Sequence, residues 1–314
     1  MLADDITAIT AHLSAPTPAA GGAVEAAWTR LIDLVTARAP LLRLHPTDAY
    51  HPASVHFFLP RVALGILDRP SGTPDRVLNS VKVGDVTVET LLGQQRLGQR
   101  SSTPAPGQAA RTDFRLYVDR APRPAGLSAP QWKAFCDETV RGALTTARYY
   151  AYVRSAPQGG GQVDVQYWFF YPYNGRMGTP PFHGEHESDW EHVTVRVLGD
   201  GQLAGVYCSA HFGEGRWYAS APLALVDGHP VVYSARHSHA SYPLAGNIPR
   251  GPLPDDETAD AGPEVRTWEL LDLVGVEGRV LKGHEWLYFT GRWGRDESAP
   301  FGPAFRVSWA GDGY

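Results

Sequence analysis

Seven of the twelve histidines, His183, His186, His192, His211, His229, His237 and His239, fall between residues 183 and 239. The densest stretch is HGEHESDWEHVTVRV, which ends at Val197. On a strand over Glu191–Val197 side chains alternate, so Glu191 shares a side with Val193, Val195 and Val197. Asp189 joins that side if the strand begins there. Two carboxylates at the mouth of an apolar face repel each other, and each carries a desolvation cost. No Lys or Arg stands nearby at matching parity, but His186 precedes Asp189 by three residues. His-x-x-Asp-x-Glu offers one imidazole and two carboxylates, a mixed set suited to Mg, Mn, Ca, Fe or Zn. The same residues also fit a solvated acidic turn, with Glu191 capping a backbone or pairing to an arginine from elsewhere.

A second cluster is VVYSARHSHASYP, Val231 to Pro243. Val231, Tyr233, Ala235, His237 and His239 share a parity, so both histidines could face one way with Tyr233. Two neutral imidazoles on one face serve as metal ligands, proton carriers or donors to a ligand oxygen. Alternatively, one is a packed core histidine and the other an exposed loop residue. His211, in SAHFGEG, is a weaker candidate at the end of another strand. Standard catalytic templates fail. His284-Glu285 lacks the second zincin histidine, and no Gly-x-Ser-x-Gly elbow, phosphate loop or dinucleotide fingerprint is present.

The elements that must position these residues are strands. Val163, Val165, Tyr167 and Phe169 alternate with Asp164, Gln166, Trp168 and Phe170. Leu203–Phe212 and Val231–Ala235 read as further strands, and Asp227-Gly228 is a hairpin signal. Before them, Val24, Ala27, Trp28, Leu31, Ile32 and Val35 recur at helical spacing, and Pro40 stops them. A second helix follows SAPQW, with Ser128 as cap and Pro130 in the first turn. Gln94–Thr112 reads as a flexible excursion. Asn247–Glu264, rich in Pro and acids, reads as a loop, either a lid anchored beside the pocket or a passive surface excursion, with the lid favoured. Composition agrees with a mainly β chain. Among 314 residues there are 33 Gly, 26 Pro, 14 Tyr and nine Trp. The net charge of −5, with no basic stripe, argues against a nucleic-acid partner. No apolar run approaches the ~20 residues of a membrane span, and the acidic N-terminus does not read as an export signal. Two cysteines, Cys136 and Cys208, are too few for a disulfide framework. A cytoplasmic, bacterial-type location is therefore expected, with non-classical export left open.

The run YWFFYPYNG, then H-x-x-D-W-E-H-V, CSAH, HPVVYSARHSHASYP and the closing TGRWG…PFGP resembles the vacuolar protein sorting-associated protein 62 family. The early RLHPTDAYHPASV is similar to that family's opening pattern. The middle part is more remotely similar to the necrosis- and ethylene-inducing-peptide-like cytolysins. Their G-H-R-H-D-W-E heptapeptide lies in an actinoporin-like β-sandwich and surrounds a divalent cation used in recognising sphingolipid sugar heads. This resemblance implies metal ligation by His186, Asp189 and Glu191, with Asn174 at the place of an upstream Asp. Asn174 brings one charge fewer, which weakens a hard cation or leaves room for another ligand.

The resulting expectation is a mainly β protein, an antiparallel, actinoporin-like sandwich with flanking helices and long loops. Residues 1–155 form a helical and extended part packed on a sandwich of residues 156–314, all in one domain. His186, Asp189 and Glu191 converge on one divalent cation, Mg, Ca, Mn or Zn, at about 2.0–2.6 Å. The ligand is a polar, oxygen-rich small molecule, or a sugar or lipid head group. The alternative is a metal-dependent enzyme of hydrolase or cyclase/lyase type, with His237 and His239 as acid and base and Tyr233 orienting. In either case His237 and His239 line the metal cavity. His239→Ala then lowers binding or turnover while changing stability by less than about 1 kcal/mol.

Overall fold

The computed structural model describes the chain except residues 1, 16–20, 69–75, 98–113, 119, 179–183, 222 and 311–314. Two long strands organise it: β6 (Val163–Asn174) and β7 (His186–Val197) pair antiparallel from Val163↔Val197 to Asn174↔His186. These are the segments with the clearest period-two pattern. On one side β5 (Tyr149–Ser155), β16 (Leu271–Val276) and β17 (Arg279–Val280) extend the sheet, and on the other β8 (Leu203–Cys208) and β9 (Arg216–Ala219) do so. The order is β17-β16-β5-β6-β7-β8-β9, antiparallel except for the β16–β5 pair.

Both faces of this sheet are buried, which is why the run through Tyr167–Tyr171 is continuously apolar rather than alternating with polar residues. Val165, Tyr167, Phe169, Val193 and Val195 belong to one core. Ile6 and Ile9 of α1 (Leu2–Ser14) and Leu31 and Val35 of α2 (Gly22–Arg38) close it. Leu42 and Val232 pack into the same core from a second sheet. That sheet holds β1 (Leu41–Arg43), β10 (Leu225–Val226), β11 (His229–Ser234), β12 (Ser241–Tyr242) and β15 (Glu264–Arg266), with β1 between β11 and β15.

On the opposite face Tyr150, Trp168, Phe170 and Trp190 meet Trp286, Trp293 and Trp309. Val55 and Phe58 of α3 (Val55–Phe58), Leu64 of β2 (Ala63–Asp68) and Leu116 of β4 (Phe114–Tyr117) complete this layer. β2 also pairs β3 (Arg76–Val81), and Leu91 of α4 (Val88–Leu97) packs nearby. The chain is thus mainly β, in several sheets, with few helices.

The two predicted helices are present. α2 ends before Pro40, and α5 (Ala129–Arg141) opens on a reciprocal cap between Ser128 and Gln131. Asp227 (φ 52°) and Gly228 (φ 86°) make the predicted β10–β11 turn, both central residues being left-handed as a tight hairpin requires. α6 (Val307–Ala310) follows the closing aromatic segment.

Three expectations change. Gln94–Leu97 end α4, and the rest of the Gln94–Thr112 excursion lies outside the described residues. Asn247–Glu264 is not a structureless lid: β13 (Gly246–Ile248) pairs β14 (Asp256–Thr258), and Asp256 is buried. The division after residue 155 falls between β5 and β6, which are paired neighbours.

Candidate functional site

The β7–β8 ladder begins only at Val193, so residues 186–191 of β7 run on beyond it, paired to β6 alone. Here lies a cavity of about 520 Å³ lined by Asn174, His186, Asp189 and Glu191. Strand parity explains the carboxylates. Asp189 stands opposite Tyr171 and Glu191 opposite Phe169, on the face that carries Val193 and Val195. Both acids are buried. Alternation breaks at Ser188, which adopts φ 57°. Its neighbour Glu187 is fixed by backbone N–H groups of Val118 (2.7 Å) and Arg295 (2.9 Å).

His186 Nδ1 lies 2.8 Å from the Ser188 carbonyl. A carbonyl only accepts, so Nδ1 is the donor in this contact. Asn174 donates its amide to the Gly184 carbonyl at 2.5 Å. Ser209 donates its hydroxyl to Glu191 at 2.5 Å. Burial, then the charge of Asp189, hold the Glu191 carboxyl well above its ordinary value, against the opposing pull of Arg306 and the Ser209 bond.

The remaining predicted residues stand elsewhere. His239 is behind the cavity wall: its Nδ1 meets Asp189 Oδ2 at 3.0 Å, and its ring lies on Tyr171 at 3.8 Å. His237 does not line the cavity. Its backbone N–H donates to Asp48 at 2.8 Å and its ring is beside Tyr50. Tyr233 donates its hydroxyl to Asp260 at 2.8 Å, next to Arg43. β11 ends at Ser234, and His237 (φ 69°) and His239 (φ 55°) are left-handed, so strand parity does not carry through to them. The dense histidines also disperse. His192 stacks on Trp168 of the opposite face, His229 stacks on Trp268, and His183 lies outside the described residues.

Several residues of the site carried no sequence pattern. Asp256, at the start of β14, accepts from Ser238 (2.6 Å) and Tyr242 (2.6 Å) and meets His211 Nε2 at 2.8 Å. Burial raises its carboxyl, but these bonds bring it below its ordinary value. His211 lines the cavity. So do Arg292, the arginine of TGRWG in the closing motif, and Arg306, three residues beyond PFGP, and that motif is the one sequence signal for them.

One imidazole, two carboxylates and an amide on one cavity suit a hard or borderline divalent cation. They do not form a ready-made cage: among the described residues, no three His, Cys, Asp or Glu are gathered as a metal site.

Residues 127–296, more than half of the chain, match the family described as vacuolar protein sorting-associated protein 62. The chain belongs to that family. It is 32% identical over 183 residues to vacuolar protein sorting-associated protein 62 of Saccharomyces cerevisiae, covering 48% of this chain and 38% of that protein. It therefore spans about two fifths of that relative's length. Among solved structures it is similar to necrosis and ethylene inducing protein 2 from the causal agent of cocoa's witches' broom disease. That match has 20% identity, covers 74% of this chain and 73% of the other, and has a TM-score of 0.32. NLPPya in complex with mannosamine is similar at 14% identity over 81% and 78% of the two chains, with a TM-score of 0.35. Likenesses this low say nothing of what the present chain binds. Membership in the family corrects the expected bacterial-type cytoplasmic location, because the relative is a yeast protein named for vacuolar sorting. Among the described residues, no helix is long and apolar enough to cross a membrane.

Proposed function

We propose that the cavity at the start of β7 binds a polar, oxygen-rich ligand, a small molecule or a sugar or lipid head group. A divalent cation would be held by His186, Asp189 and Glu191, with Asn174 beside them. One observation carries this reading: two buried carboxylates, on one strand face, open into one cavity, and Glu191 is driven up by burial and by Asp189. A cation there supplies charge neutralisation and open positions for ligand oxygens. In this reading the two facing sheets are an actinoporin-like sandwich. Calorimetric titration of metal-free protein with Mg²⁺, Ca²⁺, Mn²⁺ and Zn²⁺ tests the site. At least one should bind below about 1 mM and lose tenfold or more in Glu191→Gln. No heat from any of the four overturns the cation.

A second reading, metal-assisted catalysis of hydrolase or cyclase/lyase type, is favoured by His211. It lines the cavity, and Asp256 orients it through Nε2 at 2.8 Å, the arrangement of an aligned general acid or base. His211 would then take the part that sequence parity gave to His237 and His239. Screening ester and phosphoester substrates with wild type and His211→Gln tests it. Equal turnover by both would end the role.

A further inference from the structure

The cavity has a second wall of opposite charge. Arg306, half-buried, lines it together with Arg292, Phe301 and Phe305. Arg292 is already engaged: it donates to the Ala299 carbonyl at 2.7 Å, lies 3.5 Å from Glu297, and sits over the Phe301 ring at 4.3 Å. Arg306 differs. Among the described residues its guanidinium has no ion-pair or hydrogen-bond partner. Glu191 feels it across the cavity but is not bonded to it, its carboxyl being held by Ser209 instead. Asp189 is likewise occupied, by His239.

A half-buried guanidinium that lines a cavity and has no protein partner for its donors is a seat for an anionic oxygen group. We infer that Arg306 binds a phosphate group on the ligand. Phosphate suits the place better than a single flat anion, because its oxygens diverge and can meet Arg306 on one wall and the acidic wall's occupant on the other. Phe301 and Phe305, with the fully exposed Phe212 at the rim, give the remainder of the ligand an apolar border. A phosphorylated sugar and a phospholipid head group share this chemistry. The inference rests on the reading that the cavity is a ligand site and adds the ligand's anion to it.

The test titrates the full chain, metal-free and then with the best-binding cation, with inorganic phosphate, glucose 6-phosphate and glucose. A parallel arm sediments it with phosphatidylcholine vesicles with and without phosphatidic acid. Phosphate and glucose 6-phosphate should bind and glucose should not, with a tenfold or greater loss in Arg306→Gln. Arg306→Lys, which keeps the charge but not the fork, should fall between them, and it serves if the Gln variant does not fold. Arg266→Gln, a surface control on Glu269, should behave as wild type. In metal-free protein Glu191→Gln should bind phosphate at least as well, because it removes the opposing charge. Binding only to phosphatidic acid vesicles, lost in Arg306→Gln, assigns the phosphate to a lipid; binding only to soluble phosphates assigns it to a small molecule. Phosphate binding by a protein that takes up none of the four cations overturns the cation site and leaves this inference standing. No phosphate or vesicle binding in either condition, or equal binding by wild type and Arg306→Gln, overturns the inference itself.

Discussion

His239 is clamped between two acids from distant parts of the chain, with Nδ1 at 3.0 Å from Asp189 and Nε2 at 3.7 Å from Asp48. Its ring lies flat on Tyr171, interplanar angle 5°, and only 1% of it is exposed. His239→Ala therefore removes a packed ring and leaves Asp189 buried without its partner. The expected loss is about 2–4 kcal/mol, not the value under 1 kcal/mol that a purely functional histidine would give. Urea unfolding of the metal-free protein measures it, and a midpoint equal to wild type would restore the functional assignment.

Glu191 makes a pH-dependent prediction. Its carboxyl is raised in the folded state, so its contribution is fully present below the unfolded value of about 4.5. That contribution is lost as pH rises toward the folded value. Metal-free wild type should lose stability relative to Glu191→Gln as pH climbs from 4.5, while the two converge below it. A saturating cation should narrow the gap by stabilising wild type alone. Unfolding midpoints measured from pH 4 to 8 decide this, and a flat difference would mean that Glu191 is ionised and already compensated.

His192 works in the opposite direction. Burial, then Arg306 and Arg154, push it down to about 3, and its Nε2 has no partner. A lowered histidine contributes stability above the unfolded value of 6.5 that is lost as pH falls toward 3. The shift corresponds to roughly 5 kcal/mol across that window. His192→Phe, which keeps a ring against Trp168, should flatten the acid limb of the stability curve. An unchanged acid limb would assign the sensitivity to other groups.

Asp256 ties β14 to three different segments through Ser238, Tyr242 and His211. Asp256→Asn should cost about 2–3 kcal/mol and speed amide exchange over Asp256–Thr258. Slow exchange there in unliganded wild type is also expected, since the segment is fastened before any ligand arrives. Fast exchange in unliganded wild type would bring back the mobile lid.

The strands were legible where both chemistry and period agreed. Val163–Phe170 and Glu191–Val197 alternate, and the parity of Asp189 and Glu191 followed directly from them. Parity failed at Ser188, His237 and His239, because a left-handed backbone angle at a non-glycine residue leaves no mark in the residue types. Asp48 and Asp256 were invisible for another reason: each is one acid in a polar loop, and only the folded chain brings a histidine to it. α1 and the β2–β3–β4 sheet were missed because their short apolar segments are stabilised by the tertiary layer they cover rather than by local pattern.

β1 is three residues long, yet its position has a consequence for how the molecule is made. Leu41 pairs with Val231 on one side and with Arg266 on the other. On the ribosome β1 emerges early and has no strand partner until the chain has grown some 190 positions further, to Val231, about 10–40 s at ordinary synthesis rates, and its second partner, at Arg266, comes later still. Until then Leu41 and Leu42 of β1 lack the strands that flank them in the fold, although α1 and strands β5–β7, which share the core of α2, are already made. The same placement means that the family-matching stretch, 127–296, expressed alone, would leave a one-strand gap between β11 and β15. Two exposed strand edges would face each other there, an opening for a second molecule to donate its own strand.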